Sequence, residues 1–194
     1  FLNDICNVER GSSPRPIKSF LTEKKDGVNW IKIGDTKQDG KYISSTKQKI
    51  TKDGAKQSRI VKKGDFVLTN SMSYGRPYIM SINGCVHDGW FVLRLKDDID
   101  TDYFYYLLSS EGVQSQFKSL AAGSVVKNIS GDLVKKTMLL IPSKKTQIEI
   151  REKLSIIGEH INRINKLTLL KIENYQKLKL SIFKNLIRIN TKEA

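Results

Sequence analysis

From Ser143 to Ile189 the sequence runs without a proline and with Gly158 as its one glycine, while apolar residues recur at spacings of three and four. That pattern predicts one uninterrupted helix, roughly 65 to 70 Å long. Its apolar ladder comprises Ile150, Leu154, Ile157, Ile161 and Ile164, thins at Thr168, and resumes at Ile172, Tyr175, Leu178, Ile182, Leu186 and Ile189. The rest of the chain offers no helix of similar length to cover such a stripe, and a lone helix cannot bury it. The ladder therefore either pairs with a helix of another chain, the favoured reading, or folds back on the globular part.

The 194 residues divide on this basis into a globular domain (1–142), the long helix (143–190) and a frayed tail (191–194). About 140 residues are enough to bury a core. No apolar run reaches the length of a membrane span, and Phe1-Leu2-Asn3-Asp4 lacks the basic-then-apolar start of a signal peptide, so the expected location is cytoplasmic. Cys6 and Cys85 have no second Cys or His at metal-ligand spacing and read as buried thiols. Net charge is +14, with pI about 9.7, which favours a polyanion such as nucleic acid as the partner. Residues 37–63 hold nine Lys or Arg against two acids, and this stretch accounts for the excess of the globular part.

Taken in order, residues 1–10 read as a strand or short helix, broken by the loop Gly11-Ser12-Ser13-Pro14-Arg15-Pro16. Trp30-Ile31-Lys32-Ile33 alternates as a strand, and the hydroxyl-rich basic run Tyr42–Lys52 has little that is apolar enough for a core. Arg59-Ile60-Val61 and Asp65–Thr69 flank Lys63-Gly64 as a strand pair joined by a turn, followed by a polar loop at Ser71–Pro77. Tyr78–Ile82 and Trp90–Leu95 read as further strands. Asp102 is placed to cap a helix with core aromatics, a second helix spans Gly112–Leu120, and a small polar loop covers Ala121–Ser130. A short helix and the strand Thr137–Ile141 lead to Pro142. The expected fold class is α/β (α+β), a twisted β-sheet domain followed by a coiled-coil-type helix.

Catalytic constellations are missing from the sequence. There is no GxxxxGK[ST] loop, no GxGxxG after a strand and no Gly-x-Ser-x-Gly elbow. His87-Asp88 is read as two strand neighbours facing opposite ways, unable to form an acid/base pair, and Asp97-Asp98 as a solvated turn. No cofactor and no metal is expected. Nucleic-acid binding fits the charge: Lys47, Lys49, Lys52, Lys56 and Arg59 are candidate phosphate contacts. Base reading needs directed donors and acceptors, which Ser44, Thr46, Gln57, Ser71, Ser73, Tyr74, Arg76, Lys127 and Asn128 offer; Arg76 suits guanine and Asn128 adenine. The alternative is an assembly protein whose helix is its working part and whose basic charge serves solubility.

The ordered landmarks resemble one half of a specificity subunit of a type I restriction-modification system. The resemblance is carried by Gly11-Ser12-Ser13-Pro14, Trp30-Ile31-Lys32-Ile33-Gly34-Asp35, Ile50-Thr51-Lys52-Asp53-Gly54 and Val61-Lys62-Lys63-Gly64-Asp65. It continues with Ser73-Tyr74-Gly75, Ala122-Gly123-Ser124 to Ile129, and Ile141-Pro142 followed by Gln147-Ile148 and Leu154. It implies a target-recognition domain on a long helix that pairs antiparallel with another and so sets the spacing of two half-sites. The chain would then be a fragment or a half-length product that pairs through its helix as a homodimer or with a second half-subunit. The resemblance also implies that catalysis belongs to partners: methyltransferase subunits using S-adenosylmethionine and, through them, nuclease/translocase subunits using ATP.

Overall fold

A computed structural model of the chain describes the backbone of residues 1–37, 40–70, 75–122 and 130–190, and their side chains except at 120–122, 186 and 188–190. The fold is mixed α/β, and its strands divide into two five-stranded sheets. In the first sheet the order is β1 (Cys6–Arg10), β10 (Trp90–Leu95), β7 (Phe66–Thr69), β8 (Pro77–Met80) and β4 (Tyr42–Ile43). All its pairings are antiparallel except β4–β8, which is parallel with Tyr42 opposite Ile79. The second sheet runs β2 (Leu21–Thr22), β5 (Gln48–Ile50), β3 (Val28–Ile31), β9 (Gly84–Val86) and β6 (Arg59–Val61), with β3 and β9 parallel.

Burial explains the order. Every residue of β7 and of β8 is buried, as strands covered on both faces must be, and both lie inside the first sheet. One core cluster takes Ile31, Val61 and Val86 from the second sheet and Ile43, Val67 and Trp90 from the first. A smaller cluster of Trp30, Ile50, Ala55 and Cys85 lies under α2 (Lys52–Lys56). Over the first sheet pack α3 (Thr101–Ser109) and α4 (Glu111–Ala122), with Phe104 edge-on to Phe66 at 4.9 Å between ring centroids. Helices α1 (Leu2–Ile5) and α5 (Gly131–Lys135) bury Leu2 and Val134.

Several expectations are corrected. Arg59–Val61 and Asp65–Thr69 are not paired with each other: β6 bonds β9 and β7 bonds β10 and β8, because the turn at Lys62–Asp65, with Gly64 at φ +93°, carries the chain from one sheet to the other. The Tyr42–Lys52 run does supply core, since Ile43 and Ile50 are fully buried by alternation between polar neighbours. The N-cap of α3 is Asp100, whose carboxylate accepts from Tyr103 N at 2.9 Å, while Asp102 sits in the first turn and pairs with Lys41 at 2.6 Å. Residues 137–141 are not a strand. Side chains hold that segment instead, with Gln116 Oε1 accepting from Met138 N and Tyr103 OH donating to Leu140 O, both at 2.9 Å.

The long helix, α6, spans Lys144–Asn190, and Ser143 Oγ accepts from Thr146 N at its start. The chain forms two compact units, Phe1–Ile148 and Glu149–Ala194. Within the first, the opening turn of α6 is clamped: buried Gln147 accepts from Asp100 N and donates to Pro142 O, each at 2.9 Å, and Lys144 pairs with Asp98 at 2.6 Å. Within the second, Ile157, Ile161, Ile164, Ile172, Tyr175, Leu178 and Ile182 are about half exposed or more. Ile150 and Leu154 are partly buried, and the Leu186 side chain lies outside the described residues, as does the tail 191–194.

Gly11 is where the sheets are joined. Its N–H donates to Trp90 O at the start of β10 (2.8 Å) and Ser12 N–H donates to Val86 O on β9 (3.3 Å). A Cβ at Gly11 would stand 2.0 Å from His87 O, so backbone would have to move. Gly11→Ala is therefore expected to destabilise the domain by about 3 kcal/mol or more, read as a lowered urea midpoint. An unchanged midpoint would show that the junction yields freely.

Candidate nucleic-acid interface

The edge of the second sheet gathers several of the predicted contacts. Strand β2 is only two residues long, and its pairing with β5 sets Leu21 opposite Ile50 and Thr22 opposite Lys49. Beside this edge lies an open cleft of about 630 Å³ that brings together Thr46, Lys47, Gln48 and Lys49 with Thr22 and Glu23. Local bonds fix its shape: Thr46 hydroxyl donates to Gln48 O (3.0 Å), Lys47 N donates to Asp35 (3.2 Å), and Lys49 Nζ donates to Lys25 O (2.9 Å). The Lys47 side chain is exposed. Lys24 and Lys25, which sequence reasoning passed over, lie exposed on the β2–β3 connection held by Lys49.

Helix α2 continues this surface from β5. Thr51 caps it by accepting from Gly54 N at 3.1 Å, leaving Lys52 and Lys56 exposed. Lys52 pairs with Asp26 at 3.1 Å and Lys56 with Asp53 at 2.8 Å. Each lysine hydrogen bond holds its carboxyl partner below the usual carboxylate range, and Asp53 in turn raises Lys56. Pairs so exposed are held weakly, so both ammonium groups can exchange partners with a phosphate at little cost. Ser44 and Gln57 are exposed too, and the Gln57 carbonyl accepts from Ser12 Oγ at 3.3 Å.

Two predicted arginines stand apart from this cluster. Arg59 is committed to the frame: it pairs with Glu9 at 2.7 Å and donates to Arg10 O at 3.2 Å, while Glu9 also binds Arg94, which pairs with Asp65 at 3.1 Å. Arg76 lies on the β7–β8 connection of the other sheet, its guanidinium 5.5 Å from the centroid of the buried Tyr78 ring. Ser71, Ser73, Tyr74, Lys127 and Asn128 lie outside the described residues. The 70–75 segment is nevertheless anchored at its mouth, where Gly75 N donates to Thr69 O (2.8 Å) and Gln114 donates to Gly75 O (2.9 Å).

A second cleft, of about 450 Å³, shares Leu21 and Gln48 with the first and is further lined by Ser13, Arg15, Lys32, Trp30, His87 and Asp88. None of Arg15, Lys32 or Gln48 was a sequence candidate; the signal for Arg15 was its place between two prolines in an otherwise polar loop. His87 and Asp88 lie in the turn after β9 rather than on a strand. Asp88 accepts from Ser13 Oγ at 2.5 Å, which holds its carboxyl low, and pairs with Arg15 at 3.4 Å. His87 Nδ1 accepts from Gly89 N at 2.8 Å, and Ile33 N approaches Nε2 at 3.4 Å. Burial lowers the His87 pKa, with Asp88 opposing the shift.

Burial pushes the thiols of Cys6 and Cys85 up to about 12 and about 11, so both are poor nucleophiles. Among the described residues no group of three or more His, Cys, Asp or Glu could hold a metal ion, and no helix is long and apolar enough to cross a membrane.

Residues 1–174 match the sequence profile of the type I restriction modification DNA specificity domain. The chain is 27% identical over 188 residues to the type I restriction enzyme MjaIX specificity subunit of Methanocaldococcus jannaschii, covering 95% of this chain and 42% of that protein. Its fold is similar to the HsdS subunit from Thermoanaerobacter tengcongensis (TM-score 0.68, 16% identity, 85% of this chain and 38% of that one). It is also similar to the type I restriction-modification S subunit from M. genitalium (TM-score 0.56, 17% identity, 86% and 40%). The chain thus spans about two fifths of the length of these relatives.

A neutral His87 is built into the turn by the Gly89 N–H it accepts, and protonating it would set two donors against each other. Its lowered pKa means the unfolded chain takes up the proton first, so stability contributed above about pH 6.5 is lost as pH falls through the folded value. His87→Asn keeps an acceptor for the Gly89 N–H and cannot titrate. Denaturant melts from pH 7.5 to 5 are expected to show a smaller acid loss for the variant than for the unsubstituted chain; equal losses would remove His87 as the cause.

Proposed function

We propose, from the premise that the chain belongs to the family of type I restriction modification DNA specificity domains, that it recognises one half of a bipartite site in duplex DNA. The observation that carries this reading is the convergence of Thr46, Lys47, Gln48 and Lys49 on one open cleft at the short edge of the second sheet, continued by Lys52 and Lys56 on α2. Ammonium groups there position the duplex through phosphate contacts, and the hydroxyl and amide between them face the groove. The chain contributes recognition and no catalysis; methylation belongs to methyltransferase subunits and cleavage to nuclease/translocase subunits joined through them. Such work places the protein in the cytoplasm with the DNA.

The long helix supplies the second half of the function. Its exposed ladder takes the matching helix of a second copy or of another half-subunit, so that two recognition units read two half-sites at a fixed spacing. Leu169 and Phe183 are also exposed and lie roughly 60 to 100° round the helix from the ladder residues nearest them, with Leu180 farther round at about 160°. This flank stays uncovered after one pairing and suits a helix of a methyltransferase subunit. The domain boundary follows the same division: recognition before Pro142, pairing after it.

Binding of the full chain to randomised and fixed duplexes, measured by fluorescence anisotropy across a salt series, tests the recognition reading. Affinity is expected to fall steeply with salt and to differ among duplexes; flat salt dependence with no preference returns the protein to the assembly alternative. Lys47→Ala should weaken all duplexes alike and reduce the salt slope by about 1. For the helix, sedimentation at several concentrations is expected to show a dimer that Ile161→Asp with Ile182→Asp converts to monomer. A species unaffected by these changes rules out pairing through the ladder.

A further inference from the structure

The second cleft holds an arginine whose surroundings differ from those of the lysine rim. Arg15 is 78% exposed at its side chain, and beside it, 3.4 Å from its NH2, stands the Asp88 carboxylate, which is itself fixed by Ser13 Oγ at 2.5 Å. The backbone at Asp88 is tied in addition, since Arg10 Nε donates to Asp88 O at 3.3 Å. The guanidinium therefore lines the open cleft with a fixed acceptor at one edge that favours one orientation of its fork. That is the arrangement a bidentate contact needs, because less side-chain freedom is left to lose on binding.

Charge separates this site from the lysine rim. Around Thr46–Lys49 the cations are held by a carbonyl or lie exposed, which suits a phosphodiester. At Arg15 the neighbouring carboxylate is held by Ser13, unlike the more exposed Asp26 and Asp53 beside the lysines of α2, so it stays to balance the local charge and opposes a phosphate. A neutral base edge is not opposed. Guanine presents the two acceptors O6 and N7 that an arginine fork matches, and a carboxylate beside it can accept from the N4 amino group of the paired cytosine. Gln48, which lines both clefts, places this site and the phosphate rim on one continuous surface.

We infer that Arg15, positioned by Asp88 and Ser13, is a specificity-determining residue that reads the guanine of a G·C pair in the major groove, with the lysine cleft beside it holding the phosphates. This assignment rests on the duplex-recognition reading above. Selection from randomised duplexes, followed by anisotropy titration of the selected site and of single-base variants, tests it with the full chain, Arg15→Lys, Arg15→Ala and Asp88→Asn; melts of each variant verify folding. The unsubstituted chain is expected to require G·C at one position by roughly 5- to 150-fold. Both Arg15 variants should lose that preference alone, with the other positions and the salt slope retained.

Asp88→Asn separates positioning from mere structure. Removing its negative charge should leave affinity for non-specific duplex unchanged or higher while the preference at the same position falls. If Arg15→Ala keeps the preference at every position, or weakens all duplexes alike with a salt slope lower by about 1, the base-reading assignment is overturned while duplex recognition stands. If the unsubstituted chain shows no preference at any position, the functional reading itself fails and takes this assignment with it.

Discussion

Two sheets that share no strand must be held in register by something other than a ladder, and here the junction is the close passage of Gly11 beneath the carbonyl of His87. One N–H at this point serves each sheet: Gly11 bonds the end residue of the first, Ser12 the second. The adjoining charges repeat the arrangement, because Glu9 on β1 holds Arg59 of the second sheet and Arg94 of the first, and Arg94 also donates to Ile60 O at 2.6 Å. These groups are about one-third exposed, so their worth lies in fixing geometry more than in net stability. Ser13 and Arg15 follow at once in the chain, and the polar cleft they line is therefore placed by the same junction that joins the sheets.

Cations on this surface divide into those that build and those that wait. Arg59 and Arg94 are internal struts, and Lys41 sits 4.8 and 5.0 Å from the ring centroids of Tyr105 and Tyr106 while paired with Asp102. Lys47, Lys52 and Lys56 carry only exposed partners or open water, and a chain with net charge +14 keeps them at a cost in self-repulsion. Charge retained without a structural partner is charge available to a polyanion. Specificity then has to come from elsewhere, and the balanced Arg15–Asp88 pair is its counterpart: little attraction at a distance, strict geometry at contact.

Much of the fold is legible in the sequence because local signals and tertiary context agree. The long helix follows from its period and the absence of proline, the Trp30-Ile31 strand from alternation, and α4 from its apolar spacing. Where they disagree, tertiary context wins. Ile43 and Ile50 stand alone among polar residues and look solvated, yet alternation on short strands drives each into a core. Arg59–Val61 and Phe66–Thr69 are neighbours across a glycine turn and look like a hairpin, but β7 is apolar on both faces and so takes an interior place between β10 and β8. The candidate binding surface is less legible than the fold. Basic residues 37–63 were visible as a charge excess, but which of them are struts depends on Glu9, Asp65 and Arg94, distant in sequence, and Arg15 becomes meaningful only beside Asp88.

Three bonds between Thr69 and the returning chain help close the mouth of the β7–β8 connection: Gly75 N to Thr69 O, Thr69 N to Arg76 O, and Arg76 N to Thr69 Oγ1, at 2.8 to 3.1 Å. Thr69 thus meets the returning chain through its N–H, its carbonyl and its hydroxyl. Gly75, at φ +72° and with Phe117 where its Cβ would be, has no room for a side chain. The entry to β8 is in this way coupled to the packing of α4, which also reaches it through Gln114. Displacing Phe117 would therefore be felt at the start of β8 as well as in α4.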